Sequence, residues 1–405
     1  ISLLLIVLIS VAIYYFGFLK KKQKEQPIGK PELPNAVYLQ LHPFSESSLS
    51  KKSTLPKIIN YLLQETMNQS AGIHAVTGTA LKSVRSNEKN GSDQLKINLE
   101  LKGKIISRKD SYTIDFELLS AETNEIVKRF TKTGIGKNSI LITQIDSFMA
   151  ELVPYLKNAG YLDRELKIAP ISSIFGKDWK HFELFYRALQ YYKKFDTEKS
   201  IKLFLKIKSL PIAAYYIAKM YHFKGESDQA RKLLSHTIKG NPGLNETVKE
   251  RILAFKAQLD FDFMSQIQYL NRLKLKQRLS KELFYEIGEA YFHHGDAEKA
   301  ILNYQRAIYF DPDYSHAINH LGYCFSYQGK HEQALEQFQL YRTKDNYSSN
   351  SLDSLGDGYF YQGKLGDSLA MKLSAVNDDP KGVSWAYLTI FDILVLQARY
   401  QEALY

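Results

Sequence analysis

Gly288, Gly322 and Gly356 stand 34 residues apart, and four further columns keep the same step: Ile287, Leu321 and Leu355; Tyr291, Phe325 and Tyr359; Gly295, Gly329 and Gly363; Ala300, Ala334 and Ser368. A fixed period of this length constrains the fold more than any composition value. Each repeat is one supersecondary unit that buries its apolar face only by stacking on its neighbours. The small residue lets two helices approach, the aromatic three residues on fills the gap between units, and the later glycine breaks the first helix with a left-handed turn. Pro312 and Pro380 then end second helices. The pattern predicts helical hairpins stacked into a right-handed solenoid with a concave inner face.

The spacing closely resembles the tetratricopeptide (TPR) repeat from about Lys281 onward. Upstream the copies loosen. Ala218, Tyr221, Gly225, Ala230 and Pro242 keep the same offsets, and Ala188, Tyr191, Ser200 and Phe204 mark an earlier hairpin with a shorter second helix. A degenerate pair without the glycine lies between Leu244 and Leu273, and an incomplete copy runs from Tyr400 to Leu404. Six or seven TPR-like hairpins are therefore expected over residues 178–405. The family's first-helix pattern implies a groove lined by Tyr215, Lys219, His222 and Phe223, then Tyr285, Glu289, Phe292 and His293. The next sets are His316, Asn319, Tyr323, Ser326 and Tyr327, followed by Asn350, Asp353, Asp357, Phe360 and Tyr361. Tyrosine, histidine and asparagine suit a face that grips an extended peptide or a protein surface.

At 405 residues the chain is long enough for two folded units, and its net charge of +11 favours an anionic neighbour. Ile1 to Leu19 carries no charge and is nearly all aliphatic or aromatic, about the 20 residues that span a bilayer core. Tyr14, Tyr15 and the cluster Lys20, Lys21, Lys22 and Lys24 suit the headgroup layer. Without a charged leading region or a small-residue cleavage site, residues 1–19 read as a single transmembrane helix rather than a signal peptide. A basic, proline-containing linker follows over residues 20–35. The start on Ile and the stop inside a helical pattern suggest a fragment. A bacterial inner-membrane location is expected, with the soluble part extracytoplasmic if an output domain precedes Ile1 and cytoplasmic if the chain starts near it. Cys324 is the single cysteine, so no intrachain disulfide framework exists.

Over residues 36–160 the pattern is an α+β unit. Val37, Leu39 and Leu41 alternate as a strand, and Leu55, Ile58, Ile59, Leu62, Leu63 and Thr66 recur at helical spacing, with Ser53 or Thr54 as N-cap and Pro56 in the first turn. Leu95 to Leu101 and Tyr112 to Leu118 alternate around a turn at Arg108, Lys109 and Asp110, and a third strand ends near Phe130. An antiparallel sheet covered by helices is expected, closed by a helix from about Asn138 to Leu156. This order, with Gly103, the charged turn and Ala121 to Asn124, resembles the TolB-like domain found beside TPR repeats in bacterial signalling proteins. Asn124 stands where that family often has glycine, and the resemblance brings no catalytic residue.

Catalytic motifs fail on context. Gly366, Asp367, Ser368 and Leu369 spell an esterase motif, but Ser368 occupies the small-residue column of a second helix with no strand before it. Gly134 to Ser139 lacks the glycine spacing of a phosphate loop, and a capped helix start explains it better. His316, His320 and Cys324 recur at i, i+4 and i+8, yet core and groove roles suit them better than metal ligation. Kinase and dinucleotide motifs are absent, so no enzyme activity, cofactor or metal is expected, and no nucleic-acid contact. The resemblances together imply the receptor half of a membrane-anchored signalling protein. In it, TPR repeats would bind a partner protein or ligand and relay it to a missing output domain, winged-helix in preference to kinase. The alternative is a membrane-tethered TPR scaffold, and a homodimer is left open.

Overall fold

Alternation of apolar and polar residues over 99–105 and 112–118 builds the middle of the sheet. The computed structural model describes residues 37–47, 53–70, 72–76, 97–193, 196–277, 280–345, 348–380 and 383–403. The expected membrane helix at 1–19 and the linker at 20–35 lie outside the described residues. Among those described, no helix is long and apolar enough to cross a membrane.

The strands are β1 (Val37–Leu41), β2 (Ser45–Glu46), β3 (Ile73–Val76), β4 (Leu99–Arg108), β5 (Ser111–Ser120) and β6 (Ile126–Ile135). They form one sheet in the order β3-β1-β4-β5-β6, with β2 paired to β4. The sheet is mixed, which corrects the antiparallel expectation. β4, β5 and β6 pair antiparallel, but β1 runs parallel to both β3 and β4. The reason is the connection: α1 (Leu55–Met67) crosses over between β1 and β3 and returns the chain to the same end of the sheet. β6 also runs past Phe130 to Ile135, pairing along the whole of β5 and burying Lys132, whose ammonium meets Glu151.

The turn between β4 and β5 places Lys109 at φ 51°, and Asn124 takes φ 57° before β6, the left-handed region that asparagine tolerates better than most residues. After β6 the helix opens as one wide turn, Ile140–Gln144, before α2 (Ile145–Asn158). No side chain caps that start. Ser139 Oγ instead donates to the Gly136 carbonyl at 2.7 Å, correcting the capped start expected there.

A short helix, α3 (Ser172–Phe175), leads into seven hairpins among the described residues. They are α4 (Trp179–Tyr192) with α5 (Thr197–Leu205), α6 (Pro211–Phe223) with α7 (Ser227–Gly240), α8 (Glu246–Leu259) with α9 (Phe263–Lys276), and α10 (Lys281–His293) with α11 (Ala297–Phe310). The last three are α12 (Ser315–Tyr327) with α13 (His331–Lys344), α14 (Ser349–Tyr361) with α15 (Leu365–Asp378), and α16 (Ala386–Leu396) with α17 (Tyr400–Ala403). Gly225, Gly295, Gly329 and Gly363 supply the left-handed residue between paired helices, and Phe261 and Ala398 take the same φ of 58° where glycine is missing. The small-residue column does what its spacing implied. A β-carbon at Gly288 would stand 2.6 Å from the Tyr304 ring, and one at Gly322 would stand 2.7 Å from Phe338.

The buried core continues without a break from β1 through α1, the sheet and the first three hairpins as far as Leu259. We expect Gly288→Val to cost about 1–3 kcal/mol through this clash. Gly240→Ala, with open space around its β-carbon, should be neutral or stabilising by up to about 1 kcal/mol. Urea unfolding of both variants checks the contrast.

Candidate partner-binding groove

The repeat register assigns one inner face to the first helix of every hairpin. In the first three hairpins part of this face is already covered. Tyr61 of α1 stacks on Phe182 with ring centroids 6.4 Å apart and meets Tyr186 edge-on at 5.5 Å. Tyr61 and Glu65, one helical turn apart, then line a gap of about 20 Å³ with Phe185, Ile212, Tyr216, Val248 and Arg251. Those partners lie on the first helices of the first three hairpins, α4, α6 and α8, so the α/β unit packs its own helix against the array. Asn245, which caps α8 through the Thr247 amide at 3.0 Å, also donates to Gln69 at 3.2 Å beyond the end of α1.

This seating explains where the expected groove residues lie. Tyr215 is buried and donates to Glu286 at 3.2 Å, and Lys219 pairs with the same carboxylate at 2.6 Å. Burial alone would raise the Glu286 pKa, but Lys219 and Arg251 hold it below the ordinary carboxylate range. Burial lifts the Tyr215 hydroxyl to about 12. His222 turns away to Ser227 at 2.8 Å, and Phe223 stays 75% exposed.

From the fourth hairpin on, the face is polar and aromatic. Glu289 pairs with His320 Nδ1 at 2.7 Å and receives the Tyr304 hydroxyl, so burial is overcome and its pKa is lowered. Tyr285 meets the His320 ring edge-on at 5.4 Å, Phe292 lies 5.4 Å from Tyr327, and His293 stacks on Phe263 at 5.7 Å. Tyr327 is 51% exposed. His316 is half-buried, which lowers its pKa, while Asn319 and Ser326 are buried outright.

In the sixth hairpin a lysine replaces the aromatic that Tyr304 and Phe338 provide in the two preceding repeats. Lys372 is buried, with its stem against Gly356 and its ammonium between Asp353 at 2.7 Å and Asp357 at 2.5 Å. Trp385 donates to Asp353 at 2.6 Å, and the Tyr323 hydroxyl donates to Asp357 at 2.9 Å. Asp353 is thus buried structure rather than open lining. Asn350 donates to the Tyr341 hydroxyl at 2.7 Å, Tyr361 stacks on His331 at 6.4 Å, and Phe360 packs toward the last hairpin.

Sequence reasoning missed Tyr61, Glu65, Arg251, Glu286 and Lys372 as partners of this face. Only Lys372 left a usable signal, as a charged residue in an aromatic column. Ser368 is buried and donates to the Gly356 carbonyl at 2.7 Å, so the esterase-like motif presents no nucleophile. Cys324 is buried, which raises its thiol to about 12.

No family model matches the sequence, and no curated protein is similar to it. Solved structures that it resembles include a TPR protein from Parabacteroides merdae ATCC 43184, with 14% identity over 56% of this chain and 90% of that one and a TM-score of 0.40. A thermophilic TPR protein from Thermus thermophilus shares 18% identity over 47% of this chain and 97% of that one, with a TM-score of 0.37. MamA from Desulfovibrio magneticus RS-1 shares 16% identity over 40% and 90%, with a TM-score of 0.35. With its glycine-broken hairpins, the chain is a TPR-like helical solenoid behind a small mixed sheet.

Lys372→Met leaves two carboxylates facing each other in the core and should cost about 3–5 kcal/mol in urea unfolding. The Glu286 carboxyl, depressed in the fold, should contribute stability above its unfolded pKa of about 4.3. That contribution should vanish as pH falls through the lower folded value, and Glu286→Gln should flatten this acid limb.

Proposed function

We propose that this chain is a protein-interaction module that holds a partner polypeptide on the inner face of its fourth to sixth hairpins, tethered to a membrane through residues 1–19. The observation that carries this reading is the division of the face. The first three hairpins hold α1, while Tyr285, Glu289, Phe292, His293, Tyr323 and Tyr327 continue the same register beyond it. TPR-like folds serve as interaction platforms, and an aromatic, partly exposed lining suits a protein or peptide partner.

The α/β unit is proposed to be TolB-like, and the whole to act as a membrane-anchored sensor that relays occupancy of the face to an output domain. The core shared by the sheet and the repeats as far as Leu259 would support a relay, because a shift of those repeats would load the sheet. That same core serves a tethered scaffold without switching equally well.

A photoreactive residue placed at Tyr327 in the native host should yield a discrete protein adduct on illumination, while one placed at the exposed Leu205 on α5 should not. Equal labelling, or none at position 327, would remove the groove reading.

A further inference from the structure

We propose that the end of the sheet made by the β4–β5 turn and the segment after β6 docks on an anionic lipid surface, with Ile135 entering the headgroup layer among Arg108, Lys109, Lys137, Lys177 and Lys180. This surface is separate from the groove, and the inference does not rest on the groove reading.

The antiparallel register builds the patch. Arg108, Ser111 and Ile135 stand opposite one another in the last row of β4, β5 and β6, with Ile106, Thr113 and Thr133 in the next row of the same face. That face points away from the core, because Ile105, Ile114 and Lys132, which alternate with these residues, are buried. Neither row holds a carboxylate. The first one on this face is Asp115, opposite Lys104 in the third row. Ile135 is 83% exposed, more than any other large apolar side chain described, so its side chain contributes almost nothing to the fold.

Cations surround it. Arg108 and Lys109 form the turn, and the Gly136 amide donates to the Asp110 carbonyl at 2.5 Å, which brings Lys137 alongside. The Trp179 amide donates to Asn138 at 2.9 Å and the Lys137 ammonium lies 5.9 Å from the Trp179 ring, so Lys177 and Lys180 join the same end. All of these cations are exposed, and among the described residues none of them is held in an ion pair. The carboxylates of these segments are Asp110 and Asp178, and Asp178 already caps α4 through the Lys180 amide at 2.8 Å.

An aliphatic side chain protruding among cations suits a bilayer interface. The alkyl group enters the boundary region while lysine stems snorkel and their ammonium groups reach anionic headgroups. A nucleic acid would need an exposed ring on which to stack a base, and the aromatic ring of these segments, Trp179, is buried. The cores of protein interfaces are poor in lysine.

The test uses the full chain with Ile135→Cys carrying an environment-sensitive dye, since Cys324 is buried and leaves position 135 to take the label. It is mixed with phosphatidylcholine vesicles with or without phosphatidylglycerol, and quenching by doxyl-labelled lipid is measured. Quenching should be about threefold stronger or more in the anionic vesicles. Replacing Arg108, Lys109 and Lys137 together with Gln should return it to the neutral level while shifting the melting temperature by no more than a few degrees. A dye at Leu205→Cys should be quenched in neither. Equal quenching in both vesicles, or no more at position 135 than at position 205, overturns the proposal. A blue shift at position 135 without lipid quenching reports a polypeptide on the patch and overturns it too. Crosslinking at position 327 judges the groove reading separately.

Discussion

The structure depends on a helix buried on two sides. α1 is the crossover of a mixed sheet and also covers part of the repeat array's inner face. Its six large apolar side chains on the sheet side are at most 5% exposed, and burial of each contributes about 1.5–3 kcal/mol. On its other side Tyr61 sits among Phe175, Phe182 and Tyr186. Neither the sheet nor the first hairpins could lose this helix without exposing a core. Two pieces that read as separate along the chain thus share one core that runs from Val37 to Leu259 among the described residues.

Beyond that core the array is held differently. Between the second and sixth hairpins, polar and charged pairs replace part of the apolar contact: Lys219 with Glu286, His320 with Glu289, and Lys372 with Asp353 and Asp357. Each crosses from one helix to another, and each is at most about one quarter exposed. Such pairs add little net stability compared with well-packed apolar residues, yet losing one member is costly. They fix which helix faces which. The largest continuous apolar core lies beside the sheet, and the interhelical ion pairs lie farther along.

Most of the architecture was legible because it is periodic. The 34-residue columns located helices, turns and close approaches, and even the absent glycine between Leu244 and Leu273 was visible, although only the structure shows Phe261 adopting its φ. Alternation located β4 and β5. Parallel pairing of β1 was hidden, since a strand's direction relative to its neighbours is set by the connection rather than by its own pattern. The groove was legible as a register but not as an occupancy. Tyr215 and Asp353 sit at lining positions in sequence and are buried in three dimensions, because their partners, Glu286 and Lys372, lie on other helices. Nothing in the spacing of Tyr61 and Glu65 announces a second buried side, because a tyrosine and a glutamate one turn apart look like a solvated face.

Native-state hydrogen exchange across a urea series tests the shared core most directly. The account predicts that amides of α1, of β4 and β5, and of α4, α6 and α8 open together with one free energy and one urea dependence. Opening of α1 and the sheet at lower free energy, with α4, α6 and α8 still protected, would contradict it.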